Sequence, residues 1–159
     1  MVALSVHSDR LVRALMELGV EPRKSFVDCR AAEWLVMRPA FWAGMIDGDG
    51  WIGERSQGDT TSAIVKLYAT RTLLGQYRDF LVARVYRPTW RLPALALHEG
   101  RLFSVAVGGD RAEALLRRLE VSPFRLARKA AISQRLLVRA EQMARSAYAS
   151  FERADAAGG

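Results

Sequence analysis

An α+β fold is predicted, with one antiparallel four-stranded sheet carrying helices on one face. Three observations predict it. After residue 39 the apolar period switches between helical and strand spacing, in the order α-β-β-α-β-β-α-α. The four strand-like runs come as two pairs, each joined by a short polar link, which reads as hairpins rather than parallel crossover units. The chain has 159 residues, 50% of them hydrophobic, enough for one ordinary core but not for two.

The elements follow in order. Residues 8–18 form an amphipathic helix, with Ser8 as N-cap, Leu11, Leu15 and Leu18 at helical spacing, and Gly19 as the stop. Residues 26–38 make a connector with a short helix around Ala31–Val36. Pro39 sits in the first turn of the next helix, which runs through Ile46 and ends in Asp47-Gly48-Asp49-Gly50. Two strands follow, Trp51–Arg55 and Ser62–Ala69, around the polar loop Ser56–Thr61. Thr72–Val85 returns to helical spacing through Leu73, Leu74, Tyr77 and Leu81. Ala94–His98 and Leu102–Val107 are the second strand pair, and Pro93 suits an edge. Asp110 caps a helix carrying Ala112, Leu115, Leu116 and Leu119. Pro123 opens a last helix to about Phe151, and residues 154–159 form a frayed, disordered tail.

Composition removes several function classes. The longest apolar run, Ala40–Ile46, is far too short to span a bilayer. The first residues lack a charged-then-apolar signal layout, and a lone cysteine, Cys29, allows neither an internal disulfide nor a Cys-rich zinc site. The expected location is the reducing cytoplasm. The net charge is +7, all of its excess after residue 50: residues 1–50 carry six basic against seven acidic groups. Only Lys24, Lys66 and Lys129 are lysines; the other bases are arginines, whose planar fork suits phosphate. A basic surface for nucleic acid is the expectation.

The string Trp42-Ala43-Gly44-Met45-Ile46-Asp47-Gly48-Asp49-Gly50 resembles the LAGLIDADG motif of the homing endonucleases, with Trp42 in place of the usual first aliphatic residue. The resemblance extends over roughly residues 11–140. It takes in Leu11–Ser25 before the motif, Trp51-Ile52-Gly53 after it, and Leu102–Leu119 followed by the basic segment Pro123–Lys129. It implies a LAGLIDADG-type αββαββα domain over residues 40–153, preceded by an N-terminal helix and connector over 1–39.

The residues have their own physical reading. Ala43, Gly44 and Gly48 strip side-chain bulk from a helix face, which lets a second helix approach closely. Gly48 and Gly50 suit a sharp exit with positive φ. The exit sets two carboxylates, Asp47 and Asp49, at the base of the helix. The rival motifs fit worse. Gly48-x-Gly50-x-x-Gly53 matches a dinucleotide fingerprint but follows a helix and opens a strand, the reverse of the required context. Asp47-x-Asp49 begins like a calcium loop, but Trp51 takes the third ligand position. Two capping carboxylates at a tight turn remain the plain alternative.

By resemblance, two motif helices pack side by side through Ala43, Gly44, Asp47 and Gly48. Asp49 then binds a divalent metal, Mg2+, and is catalytic. Lys129, within the cluster Arg125, Arg128 and Lys129, is the basic residue that stabilises phosphate charge. The DNA face is the sheet face away from the helices. Lys66, Tyr68 and Thr70 alternate there with the core set, joined by Arg55, Gln57, Arg91 and Arg101. Ile64, Ala94 and Ala96 offer that face little direct readout. His98 is available on it as well.

The function expected is a magnesium-dependent homing endonuclease cleaving double-stranded DNA; the alternative is a non-cleaving maturase-like or regulatory nucleic-acid binder. Residues 1–39 are too few to hold a second motif domain. The partner motif is expected from a homodimer, or from an N-terminal repeat of a longer chain, since Leu11–Ser25 resembles a linker between repeats.

Overall fold

The computed structural model describes residues 8–17, 28–57, 60–100, 102–120, 122 and 125–158. The elements run α1 (Asp9–Glu17), α2 (Glu33–Val36), α3 (Pro39–Asp49), β1 (Gly50–Gln57), β2 (Thr60–Ala69), α4 (Arg71–Arg84), β3 (Leu95–Glu99), β4 (Leu102–Gly108), α5 (Asp110–Leu119) and α6 (Ala127–Gly158). This is the α+β order predicted from the changing apolar period. The sheet is antiparallel throughout, in the order β1-β2-β4-β3, so the two hairpins meet along β2 and β4.

Alternation fixes the two faces of the sheet. Ile52, Ala63, Val65, Leu67, Val105 and Val107 point to one side and are buried. They share one cluster with Trp42 and Ile46 of α3, Leu74, Tyr77 and Phe80 of α4, Leu115, Leu116 and Leu119 of α5, and Leu136 and Leu137 of α6. The helices therefore cover a single face. Trp42 anchors the centre. Its ring lies 4.9 Å from Tyr77 and 6.0 Å from Phe80, and its indole N–H donates to the Val36 carbonyl at 2.6 Å.

The core reaches back before residue 39, since Ala31 and Val36 belong to it. Three contacts hold this segment. The Gln76 amide exchanges two hydrogen bonds with the backbone of Ala31, at 2.9 and 2.8 Å. Asp28 accepts the Thr72 N–H at 3.1 Å and the Thr72 hydroxyl at 2.6 Å, capping the start of α4 from outside it. Residues 28–38 are thus packed on the domain; the expected boundary after 39 falls inside this packed unit.

Three local expectations change. No described glycine of the motif has positive φ; Gly48 is helical and Gly50 has φ −108°. Gly50 is needed for space instead: a Cβ there would lie 2.7 Å from the Ile46 backbone and 2.9 Å from the Lys66 carbonyl. The N-cap of α5 is Gly109, at φ 61°, and Asp110 is the first helical residue. Helix α6 continues to Gly158 through the tail expected to fray. Ser8 behaves as expected, accepting the Leu11 N–H at 3.3 Å. Leu18–Pro22, Pro123 and Gly159 lie outside the described residues.

Candidate active site and nucleic-acid interface

Helix α3 is apolar nearly all round, which ordinarily marks a helix covered on every side. Here the described residues cover only one side. Trp42, Ala43, Ile46 and Asp47 are buried against the domain. Gly44 and Gly48 face out, and a Cβ on either would meet nothing within 4 Å. Phe41 and Met45 are half-buried beside them. The small-residue face is therefore Gly44 and Gly48. Ala43, expected on it, is 0% exposed and packs inward.

Asp47 also turns inward, and its role differs from the one expected. The Arg125 Nε donates to both carboxylate oxygens at 3.2 Å, and Nη2 donates to Oδ1 at 3.2 Å. The backbone N–H of Leu126, entering α6, donates to Oδ2 at 2.7 Å. Both side chains are only 6% exposed. A buried pair of this kind survives because the fork and the helix N-terminus satisfy the carboxylate where water cannot. Arg125 is therefore committed to Asp47 rather than presented to phosphate.

Lys129 completes the clamp. Its Nζ donates to the carbonyls of Ile46 at 2.5 Å, Asp47 at 2.8 Å and Gly50 at 2.6 Å. These carbonyls lie at the C-terminal end of α3, where intrahelical donors run out. An ammonium has three protons, and all three are used. Burial pulls the Lys129 pKa below the ordinary lysine range, opposed first by the Asp47 charge. The expected phosphate-facing cation is thus a 7% exposed cap on the motif helix. Arg128 alone of the cluster is exposed.

The clamp leaves Asp49 free. It is exposed and makes no hydrogen bond or ion pair with any described residue. It opens onto a groove of about 280 Å³, lined also by Met45 on α3, Tyr68 and Ala69 on β2, Thr70 and Cys29. The Thr70 hydroxyl donates to the Cys29 carbonyl at 3.4 Å. Among the described residues no group of three His, Cys, Asp or Glu side chains converges. One free carboxylate suits a magnesium ion only as a partial donor set, since that ion takes one or two carboxylates with water and substrate phosphates.

The uncovered sheet face runs from this groove. Register puts Trp51, Gly53 and Arg55 of β1 on it, with Ile64, Lys66 and Tyr68 of β2 and Ser104 and Ala106 of β4. Arg55 is exposed, and Lys66 and Tyr68 are half-exposed. The Tyr68 ring packs against His98 in a tilted arrangement, with centroids 5.0 Å apart. Arg91 is exposed but lies in the connection before β3, with its carbonyl accepting from Arg111. Gln57 ends β1, where only its backbone is described, and Arg101 lies outside the described residues. Trp51 was absent from the expected reading set. Its place opposite Lys66 follows from the alternation already used for β2.

No family model and no curated protein sequence matches this chain. Solved structures do. The LAGLIDADG meganuclease I-AabMI bound to uncleaved DNA is similar at a TM-score of 0.51 and 18% identity, over 69% of this chain and 38% of that one. The chain thus matches well under half the length of that protein. The homing endonuclease I-CvuI, in complex with its target in the presence of calcium, aligns at 17% identity over 67% of both chains, with a TM-score of 0.49. The homing endonuclease I-TnaI aligns at 12% identity and a TM-score of 0.48, over 66% of this chain and 74% of that one. With a motif helix leading into a four-stranded antiparallel sheet whose helices cover one face, the chain has the LAGLIDADG homing-endonuclease fold.

Proposed function

We propose that this chain is one half of a LAGLIDADG-type DNA endonuclease that hydrolyses phosphodiester bonds of a double-stranded target with a divalent metal. One observation carries the reading: Asp49, exposed and without a hydrogen bond or ion pair to any described residue, ends a helix whose glycine face no described residue covers. A second motif helix on Gly44 and Gly48 would bring a second such carboxylate beside the first. A homodimer supplies it by two-fold symmetry, and a neighbouring repeat supplies it within one chain. The half-site fits magnesium once DNA phosphates and that second carboxylate complete the donors. When bound, such an ion supplies water activation and charge stabilisation at the leaving oxygen.

The chain's own residues do the positioning. Lys129 and the Asp47–Arg125 pair fix the end of α3, so Asp49 projects from a rigid turn. The open face offers Arg55 and Lys66 to the phosphates and bases of a duplex. The non-cleaving alternative draws support from Lys129, whose protons are all spent on the protein. Purified protein with magnesium on a pooled plasmid library separates the two. Linear products from the parent but not from Asp49→Asn support the endonuclease. Equal retention of DNA by both, with no cleavage by either, refutes it in favour of the binder.

A further inference from the structure

The open sheet face contains an apolar shelf that hydrogen-bonding readout does not use. The Trp51 indole lies flat across Gly53, so close that a Cβ on Gly53 would meet the ring at 2.4 Å. Gly53 stands opposite Ile64, and Gly108 stands opposite Ile64 on its other side. Ile64 is only 7% exposed yet takes no part in the core cluster, as its position on the far face requires. Trp51 itself remains 44% exposed. The Lys66 ammonium sits 5.9 Å from the ring centroid, which restrains the indole and brings positive charge to the shelf. On β1, β2 and β4 the open-face positions carry Arg55 and Lys66 and no carboxylate. An apolar surface edged by cations fits a duplex groove better than a neutral protein partner.

Among base edges in the major groove, only thymine presents a methyl group. Trp51 follows Asp49 by two residues, about 7 Å along an extended chain. We infer that Trp51, seated on Gly53 beside Ile64, is a specificity-determining residue that reads a thymine methyl in the base pairs next to the phosphate Asp49 approaches. The inference rests on the DNA-binding reading above and adds to it a residue and a base.

The test is binding in chelator with no metal, so that cleavage does not interfere. Duplexes selected from a random pool by the full chain are remade with uracil for thymine at each enriched position. The expected result is a loss of about fourfold at one position per half-site, the value of one buried methyl group. Trp51→Ala should no longer distinguish the thymine duplex from the uracil duplex. Gly53→Ala, which lifts the ring without removing it, should also lose the distinction; circular dichroism checks that both variants fold. Salt-dependent binding with no uracil effect at any position overturns the inference and leaves the DNA-binding reading intact. So does Trp51→Ala weakening both duplexes equally, which is the mark of sequence-independent stacking. No salt-dependent binding by the parent overturns both.

Discussion

Replacing Lys129 with methionine separates a helix clamp from a phosphate-facing cation. The variant keeps much of the side-chain volume and removes all three donors to Ile46, Asp47 and Gly50. Hydrogen bonds from a charged donor contribute about 1.5–3 kcal/mol each, but the lysine's own desolvation offsets part of that. The Ile46 carbonyl keeps the Gly50 N–H as a donor, and the expected loss is about 3–5 kcal/mol, within the range for breaking a buried charged contact. For a chain of this size that lowers Tm by roughly 10 °C. Thermal and urea unfolding followed by circular dichroism measure it. Lys129→Arg should recover little, because a guanidinium fork does not match three convergent carbonyls. A methionine variant with the parent's Tm would refute the clamp and restore the lysine to solvent and phosphate.

Asp47→Ala leaves Arg125 buried without its partner and should cost about 3–5 kcal/mol, read as a shift of the urea midpoint. Gly50→Ala should cost about 1–3 kcal/mol by forcing α3 away from β2, whereas the isolated chain should tolerate Gly44→Ala or gain about 0.5–1 kcal/mol of helix propensity. If the second helix comes from a homodimer, Gly44→Leu should leave the parent's circular dichroism but abolish self-association in sedimentation; an unchanged association constant would remove Gly44 from the pairing face. The Thr72 hydroxyl, more than the Thr72 N–H, holds the Asp28 carboxyl below its ordinary value, while burial opposes. The folded chain therefore binds fewer protons than the unfolded chain just below the ordinary aspartate range. This stabilisation is complete above that range and is lost as pH falls through the lowered pKa. Asp28→Ala should flatten the acid limb of a stability–pH curve and cost about 1 kcal/mol at neutral pH.

The sheet was legible because its alternation is clean: Val65 and Leu67 against Lys66 and Tyr68 give both faces of β2 from one run of residues. The motif helix was legible in place but not in rotation. Trp42, Ala43, Met45 and Ile46 make it apolar around the circumference, so no stripe shows which side meets the core. Nothing in the sequence therefore separates Ala43 and Asp47, which face inward, from Gly44 and Gly48, which face out. The clamp was illegible for a different reason. Lys129 and Arg125 stand about 80 residues from the carbonyls and carboxylate they hold, and a lysine in a helix has no local mark of burial. A cluster of three cations beside a proline reads as a basic patch facing phosphate until the fold brings the end of α3 beneath it. Trp51 needed only the parity of β1 against β2, and the glycine beneath its ring was the visible signal.

Asp47 is buried and paired while Asp49 is exposed, so under the proposed endonuclease function cleavage depends on Asp49 and the fold on Asp47. Single-turnover cleavage of a selected duplex by saturating Asp49→Asn, beside the parent, tests it most directly. Tm and DNA affinity in chelator should be unchanged, and the rate should fall by more than about a hundredfold, beyond what losing a group that only orients a metal ligand costs. An Asp49→Asn protein that cuts at the parent's rate would contradict it.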